Sequence, residues 1–199
     1  MSATYINNRK IILASSSPRR SQLLRESGFW FETAAFDFDE TFPDDMHPGL
    51  VAAHIATAKC RMAAHLIQED HILLTADSVV VLGDRIFNKP QNEKDAYRML
   101  ATLSGKTHQV FTGVCLKDSE MEISFSGKSS VSFREFTDSE IRWYIDRYQP
   151  YDKAGSYAVQ EWIGLCKISN IEGTFANIMG LPTDLVYEGL KHFKNAILE

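Results

Sequence analysis

The hydrophobic positions of this chain alternate between short continuous runs and stretches that repeat every three or four residues, the signatures of buried strands and of helices with one buried face. The first run, residues 10–14, predicts a strand. It ends in Ser15-Ser16-Ser17-Pro18-Arg19-Arg20, a helix start in which Ser17 can accept from the first free N–H groups and Pro18 suits the first helical position. Leu23 and Leu24 supply that helix with an apolar face and Gly28 with a stop. Residues 29–38 read as a second strand. Between 49 and 68, Val51, Ile55, Ala58, Met62 and Leu66 recur at helical spacing, with Lys59 at the edge of their face.

Farther on, apolar runs at 72–82 and 85–87 flank Gly83-Asp84, a two-residue connection favoured in hairpins. Asn92 can cap a helix reaching Leu103, with Ala96, Met99, Leu100 and Leu103 turned inward and Gly105 as its stop. Residues 108–116 and 122–136 predict strands, the second followed by the capping box Thr137-x-x-Glu140 and a helix to Arg147. A loop at 148–155, a strand pair around 164–171, a loop at 173–182 and a helix from Thr183 follow. Hairpins interspersed with helices predict an α/β fold with a mixed β-sheet and flanking helices rather than a strictly parallel doubly wound sheet.

Composition narrows the class. With 199 residues, 44% hydrophobic and 24% charged, the chain fits one compact domain over 1–199 with no linker, repeat or low-complexity tract. The N-terminus lacks the apolar segment of a signal peptide, and the run at 72–82 is too short and polar to span a bilayer, so a cytoplasmic protein without membrane contact is expected. The three cysteines, Cys60, Cys115 and Cys166, are odd in number and never paired as Cys-x-x-Cys, which argues for buried reduced thiols over disulfides or zinc. None of the six histidines has the spacing of a metal-binding pair. A formal net charge of −5 opposes nucleic-acid binding, so any phosphate site must be local.

Such local sites are present. The serines and arginines of residues 15–20 lie where a strand meets a helix N-terminus, whose free N–H groups and positive dipole end suit an anion such as a polyphosphate. The same residues also read as a plain helix opening with solvated arginines. In Thr75-Ala76-Asp77-Ser78 a carboxylate interrupts an apolar run, and it needs a metal, a cation or hydrogen bonds there. Asp77 is thus a candidate metal ligand or general base, or else an exposed strand end that caps a turn. Ideal hairpin register places Lys89, in Asn88-Lys89-Pro90, opposite Ser78 and one residue out of phase with Asp77. A bulge, a longer loop or a lysine reaching round its strand end would be needed to join the two. Ser104-Gly105-Lys106-Thr107-His108, residues 155–160 (Gly-Ser-Tyr-Ala-Val-Gln) and Gly180-Leu181-Pro182 match neither a Walker loop nor a dinucleotide fingerprint.

In order along the chain, Ser-Pro-Arg-Arg, Ala-Asp-Ser, Lys-Pro, Leu-Ser-Gly-x-x-His and Gly-Leu-Pro resemble the Maf family of nucleoside triphosphate pyrophosphatases. The resemblance covers nearly the whole chain; each motif is weak and the ordered set is specific. Ser78 departs from the family's usual threonine, keeping the hydroxyl. The resemblance implies two lobes around a central cleft, similar to inosine-triphosphate pyrophosphatases, and often a homodimer. It also implies roles: Asp77 as general base, Glu40 helping to hold a divalent cation, Mg2+ or Mn2+, and Lys59 and Lys89 meeting phosphate oxygens beside Arg19 and Arg20. Asp37 and Asp39 stand close to Glu40 and compete for its role.

Within the family, one subgroup is associated with dTTP and UTP and another with 7-methyl-GTP. Arg19, Ser78 and Gln160 side with the first, and an amide such as that of Gln160 can both donate to and accept from a uracil or thymine edge. The expected reaction releases the nucleoside monophosphate and pyrophosphate from a nucleoside triphosphate substrate, as nucleotide-pool housekeeping. Two alternatives are a 7-methyl-GTP pyrophosphatase and, from the family's historical name, a regulator of septum formation that acts by binding and needs no catalytic base.

Overall fold

The computed structural model describes residues 5–35, 38, 40–68 and 70–198. Strand β1 (Ile11–Ala14) leads to helix α1 (Pro18–Glu26), strand β2 (Phe31–Ala34) and helix α2 (Pro48–Met62), which tightens into a 3-10 turn at Ala63–Leu66. Next come β3 (Ile72–Leu82), β4 (Arg85–Phe87), α3 (Glu93–Leu103), the long strands β5 (Thr107–Lys117) and β6 (Glu122–Phe133), and α4 (Asp138–Tyr148). A 3-10 turn at Ala154–Ser156, α5 (Trp162–Lys167), β7 (Ile168–Glu172), α6 (Phe175–Met179) and α7 (Thr183–Leu190) complete the order. No helix among the described residues is long and apolar enough to cross a membrane.

Local chemistry explains most element ends. Asn92 accepts from the Asp95 N–H, and Thr137 and Glu140 form the reciprocal capping box expected at α4. Ser17 occupies the N-cap of α1 but its hydroxyl makes no capping bond; its N–H donates instead to Ser15 Oγ at 3.2 Å. β2 is shorter than the predicted 29–38, and Phe36 and Asp37 lie outside the described residues. In place of the strand pair at 164–171 there are α5 and the single strand β7. Short apolar runs are ambiguous between the two periods, and here Ile163 is buried while Leu165 is exposed. The predicted loop at 173–182 contains α6, capped by Thr174.

The seven strands among the described residues form one mixed sheet in the order β2-β1-β3-β5-β6-β7, with β4 also on β3. The β1–β2 and β1–β3 pairs are parallel and the others antiparallel. Because side chains alternate across a strand, the two faces can be read directly. On one face, Ile72, Leu74, Val114 and Leu116 pack with α1, α6 and α7, while Val80, Val110, Val131 and Phe133 pack with α3, α4 and α5. Between these two apolar masses runs a cross-strand row of small and polar residues, Ser78, Thr112 and Gly127. This division produces the two lobes.

The opposite face is covered by α2. Its buried stripe is Val51, Ala52, Ile55, Ala56, Lys59 and Cys60, so Lys59 lies within the stripe, not at its edge; the predicted face residue Met62 is exposed. Gly113, paired with Asp77, makes close approach of this helix possible: a Cβ there would fall 2.2 Å from the Ala53 nitrogen. All three cysteines are free; Cys60 and Cys115 are buried as expected, whereas Cys166 is exposed.

Candidate active site

The site occupies a bare stretch of strand edge. β5 pairs with one edge of β3 continuously from Leu73 to Val81. On the other edge β1 pairs only with Ile72 to Leu74 and β4 only with Val80 to Leu82. Residues 75–79 are left between them. The connections leaving β1 and β4 border this gap, so residues 14–20 and Asn88-Lys89 surround a cleft of about 690 Å³ that also meets Glu40, Asp152, Lys153, Tyr157 and Gln160.

Alternation along β3 turns Asp77 toward α2 and Ser78 toward the other face. Asp77 is 6% exposed, and its Oδ1 accepts from Lys59 Nζ at 2.8 Å. The same ammonium donates to Glu40 Oε1 at 2.7 Å, so one buried lysine bridges two carboxylates. No hydrogen bond from the described residues reaches Asp77 Oδ2. Burial pushes the Asp77 carboxyl above the usual aspartate range against the pull of Lys59 and Arg20, and Glu40 adds to the rise. Glu40 shifts the opposite way: burial opposes its charge, but Lys59 and Lys89 together hold its carboxyl below the ordinary value.

Lys89 does not meet Asp77. The hairpin keeps the ideal register, Leu82 opposite Arg85, and its ladder ends at Phe87. Freed from the ladder, Lys89 reaches Glu40 at 3.3 Å, which resolves the phase difficulty without a bulge. On the other face, Arg20 is held by three oxygens: Gly180 O at 2.9 Å, Ser15 Oγ at 3.2 Å and Ser78 Oγ at 3.4 Å. Burial works against the Arg20 charge and Asp77 supports it. Arg19 pairs with Asp152 at 2.9 Å across the cleft.

Ser15, Ser17, Arg19, Arg20, Glu40, Lys59, Asp77, Ser78, Lys89 and Gln160 therefore all border the cleft or its floor. Asp37 and Asp39 lie outside the described residues. Gln160 Oε1 is buried with no partner, an acceptor that lacks a donor. It belongs to a strip fixed from behind: His108 Nε2 lies 2.7 Å from the Tyr157 hydroxyl, and the Ala158 N–H donates to the Tyr144 hydroxyl at 3.2 Å. Burial drives His108 down to about 4, and its Nδ1 has no partner, so it is a neutral core residue rather than a ligand.

Sequence reasoning missed Asp152 and Lys153, in the segment read as a plain loop. Their one local signal is a pair of opposite charges just before Gly155; their partners, Arg19 and Glu161, are remote or unremarked in sequence. Thr112 was also missed; its hydroxyl contacts Ser78 Oγ at 2.9 Å and donates to Asn177 O at 2.8 Å, closing the cleft floor.

A sequence model described as Maf-like protein matches residues 10–193. A dTTP/UTP pyrophosphatase of Porphyromonas gingivalis is 46% identical over 92% of this chain and 94% of its own length. Those of Parabacteroides distasonis and Bacteroides thetaiotaomicron are 43% and 44% identical, each over 92% of this chain and over 96% and 95% of their own. Among solved structures, the Staphylococcus aureus Ham1 protein superposes with a TM-score of 0.52 at 13% identity, covering 94% of this chain and all of that one, a likeness of fold.

Proposed function

The chain belongs to the Maf-like protein family, and from that premise we propose that it is a hydrolase of acid anhydrides that cleaves dTTP and UTP to the nucleoside monophosphate and pyrophosphate. The observation that carries this reading is the Lys59 bridge between Asp77 and Glu40 at a bare strand edge, enclosed by Arg19, Arg20 and Lys89. Two carboxyls whose surroundings push their proton affinities apart take different roles. Asp77, raised by burial, is the group suited to take a proton from water; Glu40, kept charged by two lysines, is suited to remain an anion.

Hydrolysis then needs water at the α–β bridge and a cationic cradle for the departing group. Asp77 accepts the proton as the water oxygen bonds to phosphorus, the P–O bond of the bridge breaks, and the electron pair leaves with pyrophosphate. Arg19, Arg20 and Lys89 face the charge that accumulates there, each interacting by about 4 kcal/mol at 4 Å and an effective dielectric near 20, before desolvation is deducted. Lys59 orients Asp77 and balances the bridge.

We further propose a divalent cation, Mg2+ or Mn2+, held by Asp77 and Glu40. Their donors fit in kind: both are hard carboxylate oxygens brought close by their shared partner Lys59 Nζ, and no hydrogen bond from the described residues occupies Asp77 Oδ2. Among the described residues no group of three or more His, Cys, Asp or Glu could hold a metal by itself, so substrate phosphates and water would have to complete the shell of such an ion. When bound, such an ion would draw negative charge from the phosphates.

Base selection rests on Gln160. Its unpartnered Oε1 would accept from the ring N–H of uracil or thymine, which cytosine lacks at the same position, and an unmatched buried acceptor is costly. A pyrophosphate-release assay over dTTP, UTP, CTP, dATP and 7-methyl-GTP tests the reading. The first two should lead; a preference for 7-methyl-GTP would overturn the substrate assignment, and no release from any of them would overturn the activity.

A further inference from the structure

The hydrolytic scheme leaves unused a lysine on the cleft wall facing Arg19. Lys153 is 8% exposed, and its Nζ lies 2.7 Å from Asp152 Oδ1 and 3.4 Å from Glu161 Oε1. Asp152 Oδ2 accepts from Arg19 at 2.9 Å. Glu161 Oε2 accepts from the Tyr144 hydroxyl, which takes the Ala158 N–H. A continuous polar chain thus runs from Arg19, at the phosphate end, through Asp152, Lys153, Glu161 and Tyr144 to the backbone that presents Gln160.

The backbone of this lysine is itself anchored. Gly155 donates its N–H to Asn88 O at 3.2 Å, tying the segment to the connection that carries Lys89. Its φ of +68° lies in the left-handed region that favours glycine, and a Cβ there would press on the Val80 side chain at 3.1 Å. A buried ammonium held between two carboxylates contributes little net stability, because desolvation consumes most of the attraction. What it supplies is fixed geometry: it joins Asp152, which accepts from Arg19, to Glu161, which accepts from the Tyr144 hydroxyl behind the Gln160 strip.

We propose that Lys153 is a positioning residue for the nucleotide reaction, orienting Arg19 through Asp152 and the Gln160 strip through Glu161. The inference rests on the reading of this cleft as a nucleotide site, and its test therefore uses equilibrium binding as well as turnover. The full chain is titrated calorimetrically with inorganic pyrophosphate, UMP and CMP, and its hydrolysis of UTP and CTP is followed separately. Wild type should bind pyrophosphate and prefer UMP to CMP.

Lys153→Met, which keeps the volume and loses the charge, should weaken pyrophosphate by about tenfold and lower the UMP:CMP preference by about fivefold, the range of a lost charged hydrogen bond. Asp152→Asn should lose mainly pyrophosphate affinity and Glu161→Gln mainly base preference. Lys153→Arg should recover both. A Lys153→Met protein that melts lower yet keeps both values has lost only stability and would overturn the role, as would equal weakening of UMP and CMP. If Lys153→Met does not fold, the crossed pattern of Asp152→Asn and Glu161→Gln decides, and indistinguishable patterns overturn the proposal. A wild type that shows the binding pattern but leaves UTP intact would sink the hydrolytic reading alone.

Discussion

Replacing Gly113 by alanine should disable the Lys59 bridge proposed to be catalytic, without touching any residue in it. The added Cβ would fall 2.2 Å from the Ala53 nitrogen and 2.3 Å from the Ala52 carbonyl, where ordinary contact begins at 3.4 Å. Backbone atoms of a helix cannot swing aside, so α2 must lift by about 1 Å, at a stability cost of about 1–3 kcal/mol. Lys59 lies two turns beyond Ala52 on the same face. A lift of that size stretches its 2.8 Å bond to Asp77 to about 4 Å and forfeits about 2 kcal/mol of attraction at an effective dielectric of 20. Misplacement of reacting groups on this scale lowers rates by up to about 10²-fold. We therefore expect kcat/KM for dTTP to fall roughly 30- to 100-fold, measured well below the melting temperature so that the folded fraction stays near one. Wild-type kcat/KM in a folded Gly113→Ala protein would refute the reasoning, because it would mean that α2 accommodates the methyl without moving Lys59.

Asp77→Asn should melt close to wild type while losing about 10³-fold in turnover, since the amide keeps the shape but cannot take a proton; unchanged steady-state turnover would move the base elsewhere. Excess chelator should stop pyrophosphate release and added magnesium or manganese restore it, and full turnover in chelator would remove the metal from the scheme. Gln160→Glu should cost dTTP and UTP about 1–3 kcal/mol in transition-state binding, read as kcat/KM against 7-methyl-GTP, with an unchanged ranking counting against base reading by this residue. His108 titrates near 6.5 when unfolded and about 4 when folded. The unfolded chain thus binds more protons between those values, and its stabilising contribution, fully present above 6.5, should decline by ~3 kcal/mol as pH falls to 4. Urea titrations of His108→Gln should lack that part of the pH slope; a slope equal to wild type would assign it to other groups.

Features set by neighbouring residues are legible in the sequence. The capping box of α4, the Asn92 cap of α3 and the Gly83-Asp84 register all occur as local chemistry dictates. The buried stripe of α2 is harder to read, because Ala52, Ala56 and Cys60 are small and weakly hydrophobic, so the larger Met62 dominates the periodicity. Their smallness is what lets the helix settle on the sheet and carry Lys59 to Asp77. The partner of Lys89 was hidden for another reason: register describes a ladder, and Lys89 stands just past its end. The Asp152 and Lys153 contacts depend on Arg19 and Glu161, which only the folded sheet brings to one cleft. The ordered motifs named most of the residues that share the cleft, because chemistry restricts residue type where geometry alone does not.

The bare edge of β3 separates two jobs that most strands must combine. Pairing with β1 and β4 on either side of the gap, and with β5 from Leu73 to Val81 on the opposite edge, fixes those three strands around β3. The residues bordering the gap carry none of that burden. On the proposed function, substitutions of cleft-facing residues in the connections after β1 and β4, and of Gln160 itself, would alter which nucleotide is accepted while the ladder stays in register. In evolutionary terms the gap is a place where a lineage can explore new substrates at little risk to its fold.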